Sequence, residues 1–142
     1  MSPDAPTPPA ELQRAKEELW ELESALLQAI PAEQIVERWP HLERTRALIP
    51  EPTEGRYRWP GAVEVRVAGG FDEGALRAGL AAAWGAHPAW TVEEASPGEP
   101  LVLRRDDGVR FSIGLLPGRD VLRIAGLSAA FPLPERDLRR AY

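Results

Sequence analysis

The sequence predicts an α+β fold, in which helices pack on one face of a mostly antiparallel sheet of about five strands. Three observations predict it: a leucine seam near the start of the chain, alternating valines in its middle, and four further strand-like segments separated by turn residues. The short connections favour antiparallel pairing, because neighbouring parallel strands need long crossovers. Two helices and such a sheet bury their apolar faces together as two layers.

The first predicted helix covers residues 10–30. Its apolar side chains recur three and four residues apart and form one seam, made of Leu12, Ala15, Leu19, Leu22 and Leu26. Four glutamates are expected largely off this seam and in water: Glu17, Glu18, Glu21 and Glu23. A heptad stripe is also typical of a coiled-coil partner, but fewer than three heptads favour a helix that docks on its own domain.

Prolines mark the ends of the next segments. Pro31 suits the first turn of a new short helix over residues 32–38, and Pro40 ends that helix. Residues 1–9 are interpreted as a flexible proline-rich tail, with a polyproline ligand as the alternative. We therefore expect a single domain over residues 10–142, preceded by a flexible tail.

Within this domain a mostly helical segment over residues 10–50 is followed by a sheet-rich segment over residues 56–134. Strands are predicted at 56–67 with an interruption at Pro60-Gly61, and at 89–94, 101–105, 109–115 and 121–127, with a second helix at 72–85. Asp107-Gly108 predicts a hairpin turn, because glycine accepts the positive φ that such turns need. We interpret the hairpin as scaffold, with arginines that keep the sheet soluble: Arg104, Arg105 and Arg110.

A glycine-rich turn at residues 68–74 lies between a predicted strand and a predicted helix, where phosphate loops occur. Its spacing matches neither of the glycine patterns typical of nucleotide binding. Asp72 is the expected N-cap, and together with Glu73 it would repel a phosphate at the helix N-terminus. The segment is therefore predicted to be a turn and a cap.

Composition excludes several classes of function. The net charge of −5 argues against nucleic acid as a partner, because phosphate binding needs a basic footprint. The absence of cysteine excludes disulfides, thiol catalysis and zinc–thiolate sites. No apolar run approaches the roughly 18 residues of a membrane span, and the N-terminus does not resemble a signal peptide. As written, the chain is expected to be cytoplasmic; a location in the cell envelope is the alternative if the native start lies upstream.

No catalytic or metal-ligating pattern stands out in the sequence. His41 and His87 are the only histidines, and they do not stand at metal-ligand spacing. None of the five serines lies in a GxSxG elbow or has a histidine that the pattern places nearby. We therefore expect no catalytic residue, no metal and no cofactor.

The five tryptophans are many for a chain of this length. Trp84 and Trp90 flank the turn after the second helix and are expected to close the core between helix and sheet. Trp39 and Trp59 are each followed by proline, and two interpretations stay open for them: packing in the core or at the sheet edge, or an exposed recognition patch. These two are the candidate partner-binding residues.

From about residue 55 onward the sequence resembles small uncharacterised lipoproteins of actinobacteria. The similarity lies in Gly55-Arg-Tyr-Arg-Trp59 with its valine strand, Ala81-Ala-Ala-Trp84 leading to Trp90-Thr-Val92, Arg104-Arg-Asp-Asp-Gly-Val-Arg-Phe111, and Leu127-Ser-Ala-Ala-Phe-Pro-Leu-Pro134. The resemblance implies an α+β domain preceded by a helix, and no catalytic residues. In that family the strand-ending segment often carries a paired cysteine, whereas this chain has Ala129-Ala130 there and no lipobox.

These observations predict a non-enzymatic domain that binds another protein or acts as an accessory module. The missing catalytic pattern, the acidic first helix and the tryptophans favour this hypothesis. The alternative is an extracytoplasmic, lipoprotein-type module that binds a component of the cell envelope. A third hypothesis, an enzyme that uses carboxylates in a cleft beside the sheet, has no recognisable site in the sequence.

Overall fold

The computed structural model describes residues 9–93, 96 and 99–142, so the predicted tail lies outside the described residues except for Pro9. The helices are α1 (Ala10–Leu27) and α2 (Glu73–Gly85), with a 3₁₀ helix at Ala32–Gln34. The strands are β1 (Ile35–Arg38), β2 (Ile49–Pro50), β3 (Arg56–Arg58), β4 (Pro60–Val67), β5 (Trp90–Glu93), β6 (Leu101–Arg105), β7 (Arg110–Leu115), β8 (Val121–Leu127) and β9 (Phe131–Pro132). No helix in the described residues is long and apolar enough to cross a membrane.

Six strands form one sheet in the order β1-β4-β8-β7-β6-β5, and β2-β3-β9 form a second, smaller sheet. The predicted α+β class and the mostly antiparallel pairing are confirmed, but the predicted number of about five strands is wrong. β1 adds a sixth strand to the large sheet. The segment at 56–67 breaks at Trp59, so that β3 leaves the large sheet and pairs with β2 and β9 instead.

One face of the large sheet carries the hydrophobic core. Burial alternates along β4, where Val63 and Val65 face the core. They pair with Ile124 and Leu122 of β8, which are also buried. The intervening residues of both strands lie on the opposite face, because successive side chains of a strand point to opposite sides.

Both helices bury their apolar side chains against this core. The seam of α1 is confirmed as a docking seam, since Leu12, Leu19 and Leu26 are each at most 2% exposed. At the end of α2, Trp84 packs edge-to-face against Trp90 of β5, with ring centroids 4.7 Å apart. The expected closure of the core between helix and sheet by these two tryptophans is confirmed.

Two local predictions from turn chemistry are also confirmed. Asp72 caps α2, because its Oδ1 accepts a hydrogen bond of 2.9 Å from the backbone N–H of Ala75. Gly108 has a φ of +95°, and its N–H donates to the carbonyl of Arg105 at 2.9 Å, which closes the turn between β6 and β7. Both positions depend on a short-range preference that neighbouring structure does not override.

The predicted short helix at 32–38 is wrong. Only Ala32–Gln34 is helical, and Ile35–Arg38 forms the edge strand β1, which pairs antiparallel with β4. A helix after Pro31 is a local preference, whereas the pairing with β4 joins segments that are far apart in the chain. The segment over residues 10–50 therefore contains two strands, β1 and β2, as well as its helix.

Two charged residues lie on the buried side of α1. Glu23 is 0% exposed and Lys16 is 7% exposed, so the expectation that Glu23 faces water is wrong. Lys16 precedes Leu19 by three positions and Glu23 follows it by four, which puts both on the seam itself. The Nζ atom of Lys16 lies 5.5 Å from the ring centroid of Trp20 and 5.4 Å from that of Trp59.

Arg105 links the hairpin to α1. Its Nη2 atom lies 2.7 Å from Oε1 of Glu18 and 2.7 Å from Oδ2 of Asp107. Its guanidinium also lies 5.7 Å from the ring centroid of Trp90. The interpretation that this arginine only keeps the sheet soluble is therefore wrong, because its side chain joins two elements of the fold.

Candidate partner-binding site

Trp59, one of the two candidate partner-binding residues, lies in the core. Its side chain is 0% exposed, and its indole Nε1–H donates to the main-chain oxygen of Tyr142 at 3.1 Å. Its ring packs edge-to-face against that of Trp20, with centroids 6.1 Å apart. A ring without exposed surface cannot contact a partner, so Trp59 does not belong to an exposed recognition patch.

Trp39, the second candidate, is half-buried at the edge of the large sheet. It directly follows β1, and its backbone N–H donates to the carbonyl of Glu64 at 3.2 Å, which continues the pairing with β4. Three residues later, the N–H of Leu42 donates to the carbonyl of Ala62 at 3.0 Å. Because Trp39 stands opposite Glu64, its side chain lies on the face of the sheet that points away from the core.

Val36 and Leu42 add exposed apolar side chains near Trp39. The register of β1 shifts between Ile35 and Glu37, and the side chain of Val36 in this bulge is 63% exposed. Bulges commonly turn a side chain in a new direction at a sheet edge. Leu42 is 40% exposed, and it and Val36 are two of four large exposed hydrophobic residues among those described. We name Val36, Trp39 and Leu42 together the Trp39 surface.

Two grooves meet at Trp39. The first has a volume of about 680 Å³ and reaches from Trp39 to Leu116 and Val121 at the start of β8. The second has a volume of about 260 Å³ and includes Leu42 and Ala62. Trp39 lines both grooves, so its ring stands between two concave regions of the same surface.

Charged side chains surround the ring of Trp39. The guanidinium of Arg66 lies 5.7 Å from its centroid, in the position of a cation–π contact. Arg66 Nε lies 3.7 Å from Oε2 of Glu37, and Arg123 Nη1 lies 3.6 Å from Oε2 of Glu64. These pairs are one-third to one-half exposed, so they contribute little to folding stability and stay accessible to the charged groups of a partner.

A buried acid–base pair lies next to this surface. Nδ1 of His41 lies 2.5 Å from Oε2 of Glu23, and its Nε2 lies 3.5 Å from Oγ of Ser24. The other oxygen of Glu23, Oε1, is buried and has no hydrogen-bond partner among the described residues. Burial raises the pKa of Glu23 to about 6, and the hydrogen bond with His41 opposes that effect. Sequence reasoning missed the pair because 18 positions separate its members.

The row of Ser24, His41 and Glu23 has the order of a serine hydrolase triad, but the surrounding chemistry differs. Ser24 lies in the last turn of α1, where each backbone N–H bonds to the carbonyl four residues earlier, so the helix offers no N–H to an oxyanion. A separation of 3.5 Å is also beyond the usual length of a hydrogen bond. In the part of the chain that the structure describes, no three His, Cys, Asp or Glu side chains cluster as metal ligands.

Comparison with protein-family models, with curated proteins and with solved structures found no match to this chain. The resemblance to small actinobacterial lipoproteins therefore stays a prediction from the sequence. The candidate site has to be judged on its own geometry, which is that of an aromatic ring between two grooves at a sheet edge.

Proposed function

We propose that this chain is a non-enzymatic protein-binding or accessory module that contacts its partner through the Trp39 surface. The observation that carries the proposal is the position of Trp39, which lines two grooves and has two exposed aliphatic residues nearby. Tryptophan and arginine are enriched at protein interfaces, and here the guanidinium of Arg66 lies over the ring of Trp39.

The charges around the ring support a protein as the partner. Both signs are present within one patch, because Glu37 and Glu64 pair with Arg66 and Arg123. Such a mixed pattern orients a partner that carries complementary charges of both signs. A polyanion would instead meet a chain whose net charge is −5.

The proposal is tested with the full chain as bait. Wild type and Trp39→Ala are immobilised, the captured proteins are compared, and a protein that distinguishes the two baits is purified and titrated against each by calorimetry. We expect Trp39→Ala to weaken binding at least about tenfold, since truncation of a central interface tryptophan typically costs more than about 1.4 kcal/mol.

The matched control is Leu138→Ala, because Leu138 is 73% exposed and lies outside the Trp39 surface. It should bind within about twofold of wild type, as surface substitutions away from special features usually do. Thermal unfolding followed by circular dichroism checks that both variants are folded. If no captured protein distinguishes wild type from Trp39→Ala, or if the purified partner binds both equally, the proposal is wrong.

A further inference from the structure

A strap made of residues 39–44 connects the Trp39 surface to α1. On the sheet side, the N–H groups of Trp39 and Leu42 bond to β4. On the helix side, Trp20 Nε1–H donates to the carbonyl of Leu42 at 3.0 Å, and Glu23 Oε2 lies 2.5 Å from His41 Nδ1. Two members of the Trp39 surface therefore belong to a segment that α1 holds in place.

Among the residues that join the strap to α1, Glu23 is the one whose stability in its buried position depends most on its own charge. Its Oε1 atom has no hydrogen-bond partner among the described residues and lies 3.1 Å from the point where a Cβ on Gly61 would be, so the adjacent residue of β4 offers it no side chain. Besides burial, His41 of the strap is the only titratable group among the described residues that contributes to the pKa shift of Glu23. An ionised carboxylate in such a place is destabilised unless water or a second donor reaches it.

His41 separates the carboxyl group of Glu23 from a groove on the protein surface. A groove of about 560 Å³ runs between α1 and the strap, and its walls include Trp20, Ser24, Pro40 and His41. The side chain of His41 is 27% exposed at this groove, whereas that of Glu23 behind it is 0% exposed. Displacement of His41 and the strap from α1 would therefore bring Glu23 into contact with water.

We propose that Glu23 and His41 form a proton-operated latch, which holds the strap on α1 when Glu23 is protonated and loosens it when Glu23 is ionised. The proton passes between the carboxyl group and solvent; no other covalent bond changes, while the hydrogen bonds that join the strap to α1 break on opening. The neutral carboxyl group suits its buried site, whereas the carboxylate gains hydration when the strap moves. The link between the strap and partner binding rests on the proposed function, because the strap carries Trp39 and Leu42. The existence of the latch does not depend on the proposed function.

The size of the effect follows from proton linkage. Burial raises the pKa of Glu23 from 4.5 to about 6 in the closed form, and a hydrated Glu23 in the open form returns to 4.5. The closed form thus binds the proton more tightly, and the strap is held best below the ordinary pKa. The opening equilibrium constant should rise about 30-fold as the pH increases from below 4.5 to above 6.

Hydrogen exchange read by NMR on the full chain tests the latch between about pH 4 and about pH 8. The reporters are the indole N–H of Trp20 and the backbone N–H of Leu42, which are both hydrogen-bonded in the closed strap. Amides of β8 report global unfolding. After correction for intrinsic exchange, we expect both reporters to open more readily than β8, and their opening constants to rise about 30-fold with pH.

Variants of α1 assign the effect to Glu23. Glu23→Gln should remove most of the pH dependence, and Glu21→Gln, an exposed neighbour on the same helix, should keep it. If Glu23→Gln does not fold, the Cδ signal of Glu23 is titrated in the wild type, where a midpoint at about pH 6 is expected. The hydrogen bond with His41 lowers the pKa of Glu23. In a folded His41→Leu variant, which lacks this bond, the midpoint should therefore rise.

Three results would overturn the latch: reporters that exchange only together with β8, protection that does not change with pH, or a Glu23 midpoint at its ordinary value. None of these measurements involves a partner protein. The latch can therefore be supported while the capture experiment fails, and it can fail while Trp39 still proves essential for binding.

Discussion

Gly61 of β4 lies directly opposite Gly126 of β8, and together they leave the space that the Leu19 side chain of α1 occupies. A Cβ on Gly61 would lie 2.7 Å from Cδ2 of Leu19, and one on Gly126 would lie 3.0 Å from its Cδ1. Real Cβ atoms do not approach a side chain so closely without displacing it. The close approach of α1 to the sheet therefore depends on this pair of glycines.

Gly61→Ala is expected to lower the free energy of unfolding by about 1–3 kcal/mol, the usual cost of overpacking a core. The added methyl group would also lie 2.5 Å from Cζ3 of the buried Trp59, so both Trp59 and Leu19 would have to move to accommodate it. Urea denaturation measures the change. Gly79→Ala on α2 is the control, since an added Cβ there meets nothing within 4 Å, and it should stabilise the chain by about 0.5–1 kcal/mol. Equal stability of wild type and Gly61→Ala would contradict the packing described.

Gly108→Ala should destabilise the chain more than a strained backbone alone explains. Gly108 has a φ of +95°, and an added Cβ would lie 2.8 Å from Cζ of Arg58. That guanidinium donates to the carbonyl of Gly108 at 2.9 Å and to that of Ser128 at 3.2 Å, and both bonds would have to move.

Gly118→Ala separates the two causes, because Gly118 also has a positive φ, +69°, but an added Cβ meets nothing within 4 Å. It should cost about 1–2 kcal/mol, the price of the left-handed conformation. Gly108→Ala should exceed that value by about 1 kcal/mol or more, as expected for displaced charge-assisted hydrogen bonds. Equal losses in thermal or urea unfolding would show that Arg58 does not hold the hairpin.

Trp84 and Trp90 should show coupled energetics. Trp90 is 8% exposed, so Trp90→Ala should cost about 3–5 kcal/mol, and the half-buried Trp84 should cost less. Their edge-to-face contact at 4.7 Å predicts an interaction free energy of about 0.5–1.5 kcal/mol in a double-mutant cycle measured by urea denaturation. Strictly additive losses would mean that the two rings do not stabilise each other.

Glu23 should make stability depend on pH. Its pKa is about 6 in the folded protein and returns to 4.5 when it is hydrated, so the folded state binds the proton more tightly. Its contribution is therefore greatest below the ordinary pKa and is lost as the pH rises through about 6. Relative to Glu23→Gln, the wild type should lose about 2 kcal/mol of unfolding free energy between about pH 4 and about pH 8.

Urea denaturation of both chains at matched pH values measures this difference, in which the contributions of the other carboxylates cancel. Glu21→Gln serves as the exposed control on the same helix. A difference between wild type and Glu23→Gln that does not vary with pH would contradict the assignment.

Local patterns predicted the parts of the fold that depend on short-range chemistry. Valine alternation identified the core face of β4, and Asp107-Gly108 identified the turn between β6 and β7. The cap at Asp72 follows from the same kind of preference. In each of these cases the residue that decides the structure and the residues that respond to it are neighbours in the chain.

Most of the features that the sequence did not predict depend on partners that are distant in the chain. β1 is a strand because β4 pairs with it, whereas the helix predicted there was inferred from Pro31 alone. Trp39 and Trp59 have the same local pattern, a tryptophan before a proline, yet one lies at a sheet edge and the other in the core. The burial of Glu23 could have been predicted from the sequence, because its spacing from Leu19 puts it on the seam of α1.

Lys16 gives the chain a built-in reporter of its own unfolding. It is the only lysine, and its amine lies under the rings of Trp20 and Trp59, where burial lowers its pKa. Acylating reagents must reach the amine to react with it, and Lys16 is only 7% exposed, so the folded chain should shield this side chain while unfolding exposes it. Mass spectrometry after brief acylation would then count unfolded molecules directly, with a single side-chain amine to assign.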